Sequence, residues 1–259
     1  MRQILLALRI LLTYRNGYLF LLEKLGIRKV ESGTTTYVTW NGMKYITRNG
    51  TTDFAILNET TIFQEYLNES FRTLTKDSLV LDFGAQAGDF SVYTAYNKGC
   101  TVVCFEPEPE NLEILKQNVA INSLGSKVTI VPKAVMSDNA DKTFYASPHD
   151  NKGVHSFYYE GPKPITVQCT TPLEILESLN GRQVNLLKID IEGGEHDIIK
   201  QEFKPFFDQV HAVVMEYHCQ PHMKEAHTLE ELKQTLAALG FTDTTTSGTP
   251  ELGLLSAKK

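Results

Sequence analysis

From residue 79 onward the chain alternates short apolar runs with helical segments: "LVLDF", "FSVYTAYNKG", "TVVCFEPE", "PENLEILKQNVAINS", "KVTIVP". No other feature constrains the fold as tightly. Apolar runs this short suit strands buried on both faces, and the segments between them have the length of crossover helices. A parallel sheet covered by helices on both faces satisfies both demands. The rhythm breaks at about residues 138–168, where Gly, Pro, His and Tyr accumulate. It resumes with "VNLLKIDIEGGEHDIIK" and "HAVVMEYH", then a helix over about 228–239 and a strand pair within 241–257. The inserted segment carries His149, His155, Tyr158 and Tyr159 and is expected to border the substrate, because loops over a sheet edge commonly do.

Ahead of this pattern, residues 1–75 read as an N-terminal helix, a hairpin and a lead-in helix packed on the main domain of residues 76–259. At 3.6 residues per turn Arg2, Arg9, Thr13 and Asn16 share one stripe, leaving a wide apolar face of Ile4, Leu5, Leu8, Leu11 and Leu12. That face needs cover, from its own domain, from a second subunit through self-association, or from a membrane surface on which the helix lies. Arg9 interrupts the apolar run, no small-residue cleavage site follows, and the run falls short of the roughly 20 apolar residues of a span, so neither export nor a transmembrane helix is expected. "TTTYVTWNGMKYITR" alternates on both sides of Asn41-Gly42, which predicts a hairpin with a two-residue turn. Asn58 is predicted to cap a helix over about residues 59–71.

With 259 residues and 42% hydrophobic content, the chain can bury one large core. A formal charge of -6 argues against nucleic acid as a partner, since such domains carry a basic face. Cys100, Cys104, Cys169 and Cys219 form no C-x-x-C pair, which reads as reduced thiols in a cytoplasmic protein, peripheral to a membrane if the first helix is interfacial.

Ligands of open parallel sheets bind beyond the carboxyl ends of the strands, and "DFGAQAG", residues 82–88, sits at such an end. Gly84 and Gly88 let the backbone turn and approach a ligand with no Cβ in the way. Gln86 stands where a dinucleotide loop has its middle glycine, which disfavours a nicotinamide or flavin cofactor. Glu106 closes the second strand 24 positions after Asp82, where a carboxylate accepts both hydroxyls of a ribose. The loop therefore wants a nucleoside with a free ribose diol.

Together with "KIDIEGGE" and "VVMEYH", these features make the chain resemble the FkbM-type S-adenosylmethionine-dependent methyltransferases, from about residue 51 to 258. The family pattern D-x-G-A-N-x-G-x-x-S is met by Asp82, Gly84, Ala85, Gly88 and Ser91, with Gln86 keeping the amide of the usual asparagine while lengthening it. "EPEPEN" carries E-P-x-P-x-N, which includes Glu106 and Pro107, and "KIDIEGGE" resembles K-x-D-x-E-G-x-E. The resemblance implies a Rossmann-like class I methyltransferase sheet of seven strands, the last antiparallel, with helices on both faces and S-adenosylmethionine as cofactor. It also implies cofactor contacts from Asp82, Gly84, Ala85, Gln86, Gly88, Glu106, Pro107, Ala134 of "AVMSD" and Asp190, and puts Asp53 of "GTTDFAIL" near the cofactor.

A sulfonium methyl needs an aligned oxygen or nitrogen more than it needs activation, and alignment can supply about 7–11 kcal/mol of the barrier. A neutral hydroxyl must also lose its proton, so an acid–base side chain is the feature to find. Alternation sends Asp190 and Glu192 to one side of the strand end, Asp190 toward the cofactor and Glu192 toward the acceptor. His218 ends the next apolar strand and is the preferred general base, with Glu216 sharing its face. Glu195 reads either as a site acid or as a first-turn helix acid. No compact ligand spacing calls for a metal. The resulting expectation is O-methylation of a small-molecule or glycan acceptor; a nucleoside-binding module without turnover is the rival.

Overall fold

The computed structural model describes residues 2–30, 32–146, 163–219 and 227–259. His149, His155, Tyr158 and Tyr159 lie outside the described residues.

The N-terminal extension holds α1 (Arg2–Thr13), α2 (Tyr18–Lys24), the antiparallel hairpin β1 (Thr34–Val38) and β2 (Lys44–Arg48), α3 (Asp53–Asn58), a π-helical turn Glu59–Phe63, and α4 (Glu69–Arg72). The strands and helices of the sheet region follow: β3 (Leu79–Phe83), α5 (Asp89–Lys98), β4 (Thr101–Phe105), α6 (Pro109–Ile121) and β5 (Val128–Val131). The short strands β6 (Ala134–Val135), β7 (Lys142–Ala146), β8 (Lys163–Val167) and β9 (Cys169–Thr170) come next, then α7 (Pro172–Ser178), β10 (Leu186–Ile189), α8 (Glu195–Ile198) and α9 (Lys204–Phe207). The chain closes with β11 (Ala212–His218), α10 (Leu229–Ala238), β12 (Asp243–Gly248) and β13 (Leu252–Lys258).

Seven strands form one sheet in the order β12-β13-β11-β10-β3-β4-β5. The pairs from β11 to β5 are parallel, and β13 runs antiparallel to both β11 and β12. Strand periodicity divides the core. Val80, Val102, Cys104, Leu186, Ala212 and Val214 face the layer of α5, α6 and the N-terminal extension. Leu79, Leu81, Phe83, Phe105, Leu187, Ile189, Val213 and Met215 face the other layer, which Phe206, Phe207, Leu232 and Leu236 fill. The alternating pattern predicts the parallel part of this sheet, and the seven strands with the last antiparallel are what the family resemblance implies.

Two local expectations are corrected. Asn58 caps no helix: it is the last residue of α3, in the right-handed helical region, and its Oδ1 accepts the Tyr14 hydroxyl. The segment that follows makes a π-turn and breaks at Gln64, whose φ is 59°, so no helix runs over 59–71. The hairpin turn is longer than two residues. Thr39 N donates to Met43 O, Gly42 alone takes positive φ, and Asn41 uses its side chain to accept from Thr39 Oγ1 and Met43 N. Of the three covers open to the apolar face of Ile4, Leu5, Leu8, Leu11 and Leu12, the domain is not the one used: the face is exposed, while Ile10 and Tyr14 form the buried contact of α1.

Candidate active site

Because β3, β4, β10 and β11 are parallel, their carboxyl ends open on one edge of the sheet. The glycine loop, Glu106, the loop after β10 and His218 all leave from that edge.

The glycine loop turns sharply because Gly84 (φ +79°) and Gly88 (φ +86°) adopt left-handed backbone conformations. A Cβ on Gly84 would come within 1.8 Å of Asp190 O, so the bare backbone is what lets the ends of β3 and β10 meet. Gln86, at φ 49°, turns the tip of the loop and points its N–H at Glu106 Oε2, 2.8 Å away. Glu106 Oε1 accepts the Glu108 N–H at 2.8 Å. Burial pushes the Glu106 carboxyl up to about 7, although both main-chain donors favour its ionised form. Glu108 in turn caps α6 by accepting from Asn111 N at 2.6 Å, ahead of Pro109 in the first turn. Asp82 is buried and accepts from Ser91 Oγ at 2.6 Å; Ala85 and Ala134 are also buried, and Pro107 is half-buried. Asp53 sits in a buried, two-pronged ion pair with Arg48, whose Nη2 also donates to Asn111 Oδ1. That chain reaches Glu106 only through Asn111.

Lys188 lies between these groups. Its Nζ donates to Gly84 O at 2.7 Å and stands 3.4 Å from both Asp82 Oδ1 and Asp190 Oδ2. Burial alone would favour the neutral amine, yet Asp82, Asp190 and Asp89 override it and hold Lys188 charged. Tyr66 lays its ring 5.2 Å from this ammonium and its hydroxyl donates to Asp190 Oδ2 at 3.0 Å, with Glu216 Oε2 at 3.3 Å. Burial pushes Glu59 up to about 8 and Glu216 up to about 7, with Asp190 adding its charge to both. Lys188, Tyr66 and Glu59 were not singled out from the sequence. A lysine inside the apolar run "LLKID" was a readable signal; the approach of Tyr66, 124 residues before Asp190, was not.

His218, at the end of β11, is held on two sides. Nδ1 is 3.2 Å from Glu195 Oε1, and Nε2 is 3.4 Å from Glu192 Oε2 and 3.9 Å from Glu216 Oε1. Glu195 is fully buried, and the same Oε1 accepts the N–H groups of Ile191 and Gly193 at 3.2 Å each. Burial would lower the His218 pKa, but the carboxylates of Glu195, Glu192 and Asp190 push it up to about 10. Burial and the charge of Asp190 raise Glu192 well above the ordinary carboxyl range. Asp190 and Glu192 thus border one cluster, though not through strand alternation. β10 ends at Ile189, and a left-handed turn at Glu192 (φ 53°) and Gly193 (φ 101°) swings Glu192 across to His218.

The model of the methyltransferase FkbM domain matches residues 82–242, well over half of the chain. The hexuronic acid methyltransferase AglP of Haloferax volcanii is 26% identical over 145 residues, which cover 55% of this chain and 57% of that protein; the match thus spans little more than half of the relative's length. Among solved structures, TYW2 of P. horikoshii in complex with MeSAdo aligns with a TM-score of 0.46 at 13% identity, over 93% of this chain and 80% of that one. TrmK of M. capricolum, in complex with S-adenosylhomocysteine, aligns at 0.45 and 10% identity, over 75% and 67%. The glycine loop, the acid closing β4 and the K-x-D-x-E-G-x-E segment all fall within the matched residues, and the chain belongs to the FkbM methyltransferase domain family, with S-adenosylmethionine as its cofactor.

Proposed function

We propose that this chain transfers the methyl group of S-adenosylmethionine to a hydroxyl of a sugar or glycan. The observation that carries the chemistry is the charged group Glu195–His218–Glu192 beside Asp190, on the same sheet edge as Glu106. The likeness to a hexuronic acid methyltransferase supports a sugar acceptor.

The residues present suit the cofactor. Glu106 Oε2 has one main-chain donor, Gln86 N, and keeps a lone pair for a ribose hydroxyl, while Oε1 accepts from Glu108 N at 2.8 Å and more loosely from Asn111 Nδ2 at 3.5 Å. Gly84 and Gly88 let the loop turn tightly against Asp190 O and Leu115, and Asp82, Ala85, Gln86, Pro107, Ala134 and Asp190 complete the set that would hold the cofactor. When bound, S-adenosylmethionine supplies a methyl group on a positively charged sulfur. The protein must then hold the acceptor oxygen in line and take its proton.

His218, with its pKa near 10, is a cation at neutral pH, and a cation cannot take that proton. That proton is assigned to Glu192, whose ionised form the His218 cation, 3.4 Å away, favours against burial. His218 steadies Glu192 and the negative charge that grows on the acceptor oxygen, and Glu195 fixes the imidazole from behind. Asp190, anchored by Lys188 and Tyr66, faces the cofactor side.

The test is a product assay. The full chain is incubated with S-adenosylmethionine and a panel of uronic acids, neutral sugars and glycans, and products are read by mass spectrometry and linkage analysis. O-methyl sugar that falls about a hundredfold or more with Glu192→Gln supports the reading. Methyl transfer to nitrogen alone, or turnover unchanged in that variant, would overturn it.

A further inference from the structure

α1 carries two apolar stripes on opposite sides. At 3.6 residues per turn Leu6, Ile10 and Tyr14 share one side, and this is the side that meets the domain: Ile10 and Tyr14 are buried and Leu6 packs against the same core. The Tyr14 hydroxyl locks the contact through Asn58 and Thr61. On the other side Ile4 is 70% exposed, Leu5 55%, Leu8 51% and Leu12 77%. Trp40, 60% exposed, continues this surface at the end of α1, its indole N–H donating to Leu11 O and its own carbonyl accepting from Arg15. Large side chains on one helix face, uncovered by the chain that carries them, call for an apolar partner.

Charge identifies the partner. Residues 1–29 contain six basic residues (Arg2, Arg9, Arg15, Lys24, Arg28 and Lys29) against Glu23 alone, a formal +5 in a chain of net -6. The remainder therefore carries a formal -11. Arg9, Arg15, Lys24 and Lys29 are exposed, whereas Arg28 is engaged by Glu23 at 2.8 Å. An acidic molecule whose first 29 residues are net basic beside an exposed leucine face matches an anionic surface with an apolar interior. A second copy of a chain whose bulk is acidic matches less well. No described helix is long and apolar enough to cross a membrane, so the contact lies in the plane of the interface. We infer that α1 and Trp40 dock this protein peripherally on anionic lipid bilayers, with Ile4, Leu5, Leu8 and Leu12 entering the acyl boundary and the arginines holding the headgroups. The contact sits next to the chemistry in the chain: Tyr14 bonds Asn58 and Thr61, and Glu59, between them, belongs to the acidic cluster around Asp190.

The full chain is sedimented with phosphatidylcholine vesicles and with vesicles doped with phosphatidylglycerol, at low and high salt, and its mass in solution is read by light scattering. Partition onto anionic vesicles about tenfold or more above neutral ones, weakened by salt, is expected. The triple variant Leu5→Ser, Leu8→Ser, Leu12→Ser should lose that partition with its melting temperature unchanged, since all three side chains are exposed. Equal or absent partition onto both vesicles, an unaffected triple variant, or a solution dimer that the triple variant dissociates would overturn the inference.

Discussion

Buried cations among carboxylates make His218 the residue at which pH is read most directly. Its pKa rises from 6.5 to about 10 on folding, so it binds a proton more tightly in the native state. The stabilisation this provides is fully present below about pH 6.5 and is lost as pH rises through about 10. Thermal melting of the protein should therefore decline between pH 8 and 10, and His218→Gln should melt lower at pH 7 and flatten that decline; an equal slope in the variant would contradict the ion cluster. Turnover should follow the same group downward. With Glu192 as base and His218 as cation, kcat falls as pH passes about 10, whereas a neutral His218 acting as base would make it climb there. Gly84 makes a second residue-scale prediction. Alanine at this position meets both a φ of +79° and the carbonyl of Asp190 at 1.8 Å, so Gly84→Ala should destabilise the fold by about 3 kcal/mol or more in urea titration.

The hairpin β1–β2 meets two helices of the sheet domain: Asn41 of its turn bonds Tyr96 and Asn97 of α5, and the edge of β2 lies along α6. Asn118 on α6 and Asn122, which ends that helix, pair with the free edge of β2: Ile46 N and Lys44 N donate to their Oδ1 atoms at 2.7 and 2.8 Å, and their amides donate back to Ile46 O and Lys44 O. Asn118 also donates to Ala87 O at 3.0 Å, which ties the extension to the glycine loop. Asn118→Ala leaves buried main-chain groups without partners and should lower stability by about 2–4 kcal/mol, read as a shift of the urea midpoint at constant slope. Asn118→Asp should fail much as Asn118→Ala does, because a carboxylate can accept from Ile46 N but cannot donate to Ile46 O or Ala87 O. At this scale the sequence was most legible where one element explains itself. Strand–helix alternation, the glycine loop and the helix over about 228–239 are local patterns, and each is present. Asn58 misled because its side chain serves a tyrosine 44 residues away rather than its own helix.

Across the whole molecule, the parallel sheet gathers onto one edge residues that lie far apart in the chain. Glu106, Asp190, Glu192 and His218 could be marked from the ends of their strands. Lys188 and Tyr66 could not be paired with them, since a buried lysine acquires meaning only once three carboxylates converge on it and a tyrosine from the lead-in segment covers it. The exposed side of α1 was legible as an apolar face, but not which of its two apolar stripes the domain would cover. Everything proposed about chemistry depends on one physical requirement: that the glycine loop and Glu106 hold the adenosine of the cofactor. Calorimetric titration of the full chain with S-adenosylhomocysteine tests this most directly. A saturable one-to-one heat is predicted, with affinity about tenfold or more weaker in a Glu106→Gln variant that circular dichroism shows to be folded at the titration temperature. A folded chain that gives no saturable heat, or a Glu106→Gln variant that binds as tightly as the wild type, would contradict it.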